Sequence, residues 1–358
     1  MTRYAAGVLE FADAHGWKII AVLAVVGALP PLFGLEGGFY MTVATLTLMF
    51  GVLALSWDLI GGQTGYPSFG QMGFFGLGAY TTAILVKDQA VAFPVAFLVA
   101  GVLATLAAGV VGLIVLRLRG GYFAIATLGI LLVAQQVSRN LEVTGGSSGK
   151  ILLDVPPATT FYYVLLGLLV AEVAVVYYLT GTRFGYVLNA IRDDEGKATS
   201  MGVNTTYYKT AAWMLAALFT GLAGGSWSLF NTFVDPNTAY NLSWNVEMIA
   251  MALLGGTGTV AGPVLGAFGL HLTIVFIQSV SLDVTLPLLG PTTINFAGWQ
   301  LVLLGLVVIV TVVSYPQGFV GELRERASAM EYYRHAGGAA GQETSHDETA
   351  SPDGGERT

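Results

Sequence analysis

Residues 60–80 read Ile60-Gly-Gly-Gln-Thr-Gly-Tyr-Pro-Ser-Phe-Gly-Gln-Met-Gly-Phe-Phe-Gly-Leu-Gly-Ala-Tyr80, a stretch without a single Asp, Glu, Lys or Arg. Its apolar residues suit hydrocarbon. Its glycines and Pro67 do not suit one unbroken helix, because glycine has no side chain to restrict it and proline removes an amide donor. Moving outward, the scarcity of charge continues: 59–86, 89–116, 120–138, 155–171, 210–234, 248–282 and 284–321 are all free of ionised side chains. Several of these runs exceed the roughly 20 apolar residues that carry a helix across a bilayer. Over 358 residues the chain is 54% hydrophobic and 10% charged, where a soluble domain carries about 25% charged residues. A soluble enzyme is excluded, and the fold class is all-α, a polytopic transmembrane helical bundle. With no cysteine, disulfides and thiolate metal sites are excluded as well.

Charge gaps and Gly/Pro punctuation place spans near 18–35, 41–60, 70–86, 91–116, 120–138, 159–180, 207–230, 262–281 and 298–315. Residues 1–17 form a short N-terminal segment without a small-residue cleavage site, so the run from Ile19 reads as a first span and not as a removed signal. The segment 245–257 is short and ends in Gly255-Gly256. Lys and Arg concentrate in cytoplasmic loops. If 181–209 lies inside and 245–257 counts as a crossing, all of the 15 basic residues except Lys87, Arg139 and Lys150 fall inside. That arrangement gives about ten spans, some short or broken, with both termini cytoplasmic. The membrane-spanning body covers 18–320, and 321–358 is a cytoplasmic tail. Its end, with Glu343, Asp347, Glu348, Asp353 and Glu356, cannot bury enough apolar surface to order itself.

A second glycine-rich piece, Leu254-Gly-Gly-Thr-Gly-Thr-Val-Ala-Gly-Pro-Val-Leu-Gly-Ala-Phe-Gly-Leu270, lies at a position related to the first. In one, Gly70, Gly73 and Gly76 fall three apart; in the other, Gly258, Gly262 and Gly266 fall four apart. Such strips let backbones approach closely. Interrupted apolar segments at matching positions of two halves also point to a translocation path. Gly65, Ser68, Gly70, Gln71, Gly73, Gly76, Gly258, Gly262 and Gly266 are therefore candidates for the pathway or for helix packing, and Leu in place of Gly73 or Gly262 is expected to block assembly or transport. Intramembrane ionisable groups are few. Asp58 is read as an interfacial cap within reach of water, Glu172 and Glu247 as buried hydrogen-bonding groups, and His271, with no second ligand at helical spacing, as a packed core histidine and not a metal ligand.

The longest inner loop between spans is Gly181-Thr-Arg-Phe-Gly-Tyr-Val-Leu-Asn-Ala-Ile-Arg-Asp-Asp-Glu-Gly-Lys-Ala-Thr-Ser-Met-Gly-Val-Asn204. Val187, Ala190 and Ile191 share one helical face. Asp193, Asp194 and Glu195 then open a second short helix, where acids favour the positive end of the dipole. Ala198 and Met201 fall on its apolar side, Gly202 can end it in a left-handed cap, and Asn204 can cap the next span. An exposed amphipathic helix with acids favours a protein partner over lipid. There is no P-loop. Gly145-Gly-Ser-Ser-Gly-Lys150 lacks the spacing and the following Ser or Thr, so the chain does not hydrolyse ATP by itself, and no nucleophile–base grouping suggests catalysis.

Four stretches in order, 60–80, Arg117-Leu-Arg-Gly-Gly-Tyr-Phe-Ala-Ile-Ala-Thr-Leu-Gly129, Thr144-Gly-Gly-Ser-Ser-Gly149, and the loop 183–204 leading into Leu222-Ala-Gly-Gly225, make residues 41–321 resemble the M-type permease subunit of branched-chain amino acid ABC transporters. The loop is similar to the family's coupling motif, here reduced to Glu195-Gly196-Lys197-Ala198 with Gly202, and Gln71 stands where many relatives have His. The resemblance implies a multi-pass protein of the plasma membrane that couples to ATPases through Arg192, Asp194, Glu195, Ala198, Met201 and Gly202. The implied partners are an H-type permease, two cytosolic ATP-binding subunits carrying ATP and Mg, an extracytoplasmic solute-binding protein, an amino-acid substrate and the lipid bilayer; nucleic acid and a cofactor in this chain are not implied. Urea or short amides, or an ion-coupled or passive carrier, stand as alternatives.

Overall fold

The computed structural model describes residues 38–153 and 155–279, the backbone of 281–286 and 290–295, and residues 302, 305, 306 and 309. The expected span near 18–35, that near 298–315 apart from these four residues, the segment 1–17 and the tail 321–358 lie outside the described residues. The order of elements is α1 Phe39–Thr64, α2 Gln71–Gln89, α3 Phe93–Val115, α4 Gly121–Asn140, β1 Lys150–Ile151, α5 Ala158–Thr180, α6 Arg183–Ser200, α7 Thr205–Phe230, β2 Phe233–Val234, α8 Pro236–Ala239, α9 Leu242–Gly255, α10 Ala261–Ser279, β3 Ser281–Leu286 and β4 Gly290–Asn295. The helical class is as expected, but charge gaps cannot reveal strand pairing, and two small antiparallel ladders appear. β1 pairs with β2, Lys150 opposite Val234, and β3 pairs with β4, Ser281 opposite Asn295.

Among the described residues, α1, α3, α4, α5, α7 and α10 are long and apolar enough to cross a membrane. α2 carries too many glycines and polar residues to qualify by composition. α9 has 14 residues, which rise about 21 Å against a hydrocarbon core of about 30 Å.

Small residues decide which helices are central. α7 presents Gly221, Gly224 and Gly225 to two neighbours at once: a Cβ on Gly224 would strike the backbone of Phe75 in α2, and one on Gly221 would strike Ala104 in α3. α3 answers with Ala96, Ala100, Ala104 and Ala108, four apart and each fully buried. Its opposite face exposes Val95, Leu98, Val102, Leu106, Val110 and Leu113, the surface expected toward lipid. Three backbones thus meet with almost no side chain between them, which is how helices pack where lipid tails are as apolar as leucine. α1 is enclosed on nearly all sides, with Leu53, Ala54, Leu55 and Ile60 fully buried.

Two ends of the bundle are defined by polar contacts. At one, Lys150 pairs with Asp88 at the close of α2, beside the β1–β2 ladder. At the other lie the close of α1, the loop 256–260 between α9 and α10, and α6. α1 runs toward the α6 end, α2 away from it, α9 back toward it and α10 away again.

Candidate functional site

Both glycine-rich pieces are breaks, and the fold brings them together. α1 stops at Thr64 because Gly65 takes a left-handed cap (φ 73°, ψ 19°), a conformation that costs glycine little. Residues 65–70 then turn back beside α1 without helical bonding. The Trp57 indole donates to the Ser68 carbonyl at 2.8 Å, and Trp57 lies seven residues before the helix ends, so the chain has climbed about 10 Å back into the bundle. There α2 begins. Its first turn is fully enclosed, and the donors that a helix start leaves open find side chains. Thr127 Oγ1 accepts from Phe69 N–H at 3.0 Å, Ser68 Oγ from Gly70 N–H at 3.3 Å, and Asn245 Oδ1 from Met72 N–H at 3.4 Å. Gln71 Nε2 donates to Thr220 Oγ1 at 2.9 Å. The result is a polar belt of Ser68, Gln71, Thr127, Thr220 and Asn245, all buried, across α2, α4, α7 and α9.

The second break is the loop 256–260, where Gly256 and Gly258 have φ of 116° and 77°. Asp58 Oδ1 accepts the Gly258 N–H at 2.8 Å. The carboxylate lies over Gly62, where a Cβ would fall 2.6 Å from Gly258 N. This corrects the reading of Asp58 as a water-accessible cap: it is 0% exposed and fastens the second break to the helix that ends at the first. Glu172 behaves as expected, accepting from Ser56 Oγ at 2.6 Å between α5 and α1. Glu247 is buried, and His271 packs on Phe50 at 4.9 Å between ring centroids.

The glycines named from spacing do not form one strip in either piece. Gly70 packs on Thr127, but a Cβ on Gly73 would sit 3.8 Å from Leu131 Cα, an ordinary contact. Gly76 faces the Tyr240 ring. Gly78, which spacing did not single out, lies against the Gly221 backbone. Gly262 and Gly266 do share a face, set on Met251 and Gly255 of the short α9 and on Gly256 just beyond it, whereas Gly258 belongs to the turn and not to that helix.

α6 closes over both breaks. It is bent at Asp194, whose φ of −163° and ψ of 101° interrupt the helix. Asp194 Oδ1 accepts the Lys197 N–H at 3.0 Å and so caps the second half, as the acids were expected to open it. That backbone bond, with the Lys197 side chain beside it, holds the Asp194 carboxyl below its ordinary range. Gly202 ends the element in a left-handed turn (φ 85°), and Asn204 Oδ1 accepts from Tyr207 N–H at 3.1 Å to cap α7. The buried face differs from the expected one. Leu188, Ile191 and Ala198 are buried, while Ala190 is exposed and Met201 is 84% exposed. Helical spacing identifies a stripe but not the rotation of a short helix about its axis.

On one side of the bend, Arg192 Nη1 donates to the Gly62 carbonyl at 3.0 Å, its tip lies where a Cβ on Gly258 would fall, and its stem packs on Gly65. On the other, Glu195 points inward. Its Oε1 accepts from Lys209 Nζ at 2.6 Å and its Oε2 from the Tyr66 hydroxyl. Lys209 Nζ also donates to Tyr66 Oη and to the Leu116 carbonyl, both at 3.0 Å. Arg119 Nε lies 3.5 Å from Glu195 Oε2. Burial works against ionisation of Glu195, but the hydrogen bonds from Lys209, Tyr66 and Thr205 and the charge of Lys209 outweigh it and hold the carboxyl below its usual range. Neither Tyr66 nor Lys209 stood out from the sequence. A lysine near the start of an apolar helix, 14 residues after an acid in the preceding loop, was the available signal. Among the described residues no group of three or more His, Asp or Glu is placed to hold a metal.

Apolar spanning helices, two glycine breaks held side by side and a polar loop gripping both define a multi-pass membrane protein with a core of broken helices. The chain belongs to the family described as branched-chain amino acid transport system / permease component, whose model matches residues 39–312. It is similar to the high-affinity branched-chain amino acid transport system permease protein LivM of Escherichia coli, 29% identical over 283 residues that cover 70% of this chain and 65% of that protein. The Salmonella typhimurium protein of the same description matches equally, at 29% over 70% and 65% of the two chains. A probable branched-chain amino acid transport permease protein LivM of Methanocaldococcus jannaschii is 24% identical over 63% of this chain and 78% of its own. The chain thus spans just under two thirds of the two enterobacterial relatives. No solved structure matches.

Proposed function

We propose that the chain is the permease subunit of an ATP-binding cassette importer for leucine, isoleucine and valine in the plasma membrane. The observation that carries the reading is the convergence of two interrupted membrane segments under one polar loop, in a chain of this family. Broken helices leave backbone groups free to serve a path at membrane depth, and the loop supplies a surface on which a motor can act. The exposed side of α6, with Asp193, Lys197, Thr199, Ser200 and Met201, faces two cytosolic ATP-binding subunits that carry ATP and Mg. Glu195 and Ala198, turned inward, act behind that surface and not on it. An H-type permease completes the path and an extracytoplasmic solute-binding protein delivers the amino acid.

In this reading the α6 end is cytoplasmic, the Lys150 end is extracytoplasmic, α9 counts as a short crossing, and about ten spans leave both termini inside. The buried belt of Gln71, Thr220 and Asn245 closes the path at the start of α2, and transport requires α2 and α9 to part there. The test is uptake of labelled leucine into proteoliposomes that hold the chain with its partner permease, the ATPase pair and the binding protein. ATP-dependent accumulation is expected. Accumulation of urea or a short amide in place of leucine, or leucine movement down its gradient by the chain alone, refutes the reading.

A further inference from the structure

Two side-chain amides of the buried belt each keep one atom without a bonding partner. Asn245 Oδ1 accepts from Met72 N–H at 3.4 Å, so the amide stands at the start of α2, and its Nδ2 meets no acceptor there. Gln71, the first residue of α2, donates from Nε2 to Thr220 Oγ1 at 2.9 Å, and its Oε1 meets no donor. Turning the amides round mends neither. Asn245 would then set its NH2 against the Met72 N–H, and Gln71 would set its oxygen against Thr220 Oγ1, whose proton goes to the Ala216 carbonyl at 2.8 Å. Both side chains are 0% exposed, and an enclosed polar atom left unpaired is costly. The start of α2 thus carries one open donor and one open acceptor, on a helix of 19 residues whose first amides favour negative charge.

One turn further on, the same seam is aromatic. Phe75 lies four residues past Gln71, about 6 Å along α2, Trp244 precedes Asn245, and Trp227 stands two turns past Thr220 on α7. Ring centroids are 5.4 Å apart for Phe75 and Trp227, 6.1 Å for Phe75 and Trp244, and 5.5 Å for Trp227 and Trp244. Of the side-chain bonds at the α2 start, that between Asn245 and Met72 is the longest. It is the contact that opens when α2 and α9 part.

We infer that the belt is the subsite for a zwitterionic amino acid: Gln71 Oε1 takes its ammonium, Asn245 Nδ2 and the freed Met72 N–H take its carboxylate, and Phe75, Trp227 and Trp244 take an aliphatic side chain. In the closed protein Asn245 Oδ1 holds the place of a carboxylate oxygen. A helix start is suited to that charge. Urea and short amides offer neither a full charge to the polar end nor an alkyl group to the rings. The inference rests on the permease reading and names the residues that choose its substrate.

The test uses a leucine analogue with a diazirine in its side chain, at millimolar concentration, on the assembled importer cycling ATP in detergent without the solute-binding protein, so that the permease alone selects. Irradiation should place adducts on Phe75, Trp227 or Trp244. Leucine should compete about tenfold better than leucine amide, which lacks the carboxylate, and than 4-methylpentanoate, which lacks the ammonium, since each loses a charge-assisted hydrogen bond. Asn245→Leu should abolish the preference over leucine amide, and Gln71→Met the preference over 4-methylpentanoate. Gln71→Glu keeps an acceptor and should retain the second preference, which a merely structural role for Gln71 does not predict. Adducts elsewhere, no adducts, or equal competition by all three compounds in the parent overturns the subsite, whatever the variants do. Leucine uptake by the same importer in proteoliposomes decides the permease reading separately. Uptake with adducts elsewhere keeps that reading and removes the subsite, while adducts on the three rings without uptake do the reverse.

Discussion

Alanine at Gly78 puts a methyl group where α2 crosses α7. Built on the present backbone, that Cβ lies 2.7 Å from the Gly221 carbonyl carbon and 2.8 Å from its Cα, where carbon atoms settle at about 3.5–4.0 Å. Nothing flexible can yield, because the obstacle is backbone, and α7 is itself pressed on Ala104 of α3 by the same glycine. The helix axes must part by about 1 Å, and contacts are lost along both interfaces. Overpacking of this kind costs about 1–3 kcal/mol. Gly73, five residues earlier on α2 and on a different face, provides the control. Its Cβ would meet Leu131 Cα at 3.8 Å, and alanine favours a helix over glycine by about 1 kcal/mol, so Gly73→Ala should be neutral or stabilising. Thermal unfolding of both variants in detergent, followed by tryptophan fluorescence, measures the difference. If Gly73→Ala loses as much stability as Gly78→Ala, close approach of α2 and α7 is not what those glycines serve.

Other consequences are as direct. Asp58→Ala leaves the buried Gly258 N–H without its acceptor and should cost about 1–3 kcal/mol, whereas Asp58→Asn keeps an acceptor and should cost less; the same unfolding assay ranks them, and equal losses would deny the bond its role. Asn204→Ala removes the cap of α7 and should cost about 1 kcal/mol, with Asn204→Asp close to the parent. For Glu195 the folded carboxyl lies below the ordinary value of 4.5, so its stabilising contribution is complete above that pH and is lost as pH falls through the folded value. Stability should therefore drop more steeply on acidification below about pH 4.5 in the parent than in Glu195→Gln, and parallel pH curves would remove Glu195 from the cause.

The helical class, most span positions and the existence of two breaks were legible because they follow from one-dimensional properties: absence of charge, apolar run length, and residues that interrupt helices. Asp194 capping a second short helix, Gly202 turning left-handed and Asn204 capping α7 were legible for the same reason, since caps are local. What escaped depends on rotation about an axis or on contact between distant segments. Spacing named Gly73 because it shares a three-residue period with Gly70 and Gly76, yet the bundle turns Gly73 toward an ordinary contact and uses Gly78 at the crossing. Nothing in the α2 sequence says where α7 will lie.

The same distinction explains Asp58 and Glu195. Each was read from its neighbourhood in sequence, one near an expected membrane surface and one on an expected docking face. The fold instead spends both inward, Asp58 on an amide 200 residues away and Glu195 on Tyr66, 129 residues away. An acid in an apolar chain is costly to enclose unless donors wait for it. Both acids meet donors where a helix has been broken. A glycine turn frees an amide for Asp58, and the first break releases Tyr66 to reach Glu195 beside Lys209. The breaks and the buried acids are therefore one feature. Mending either break with helix-forming residues should take a donor from its acid, the Gly258 N–H from Asp58 or the Tyr66 hydroxyl from Glu195, even if every charged residue were kept.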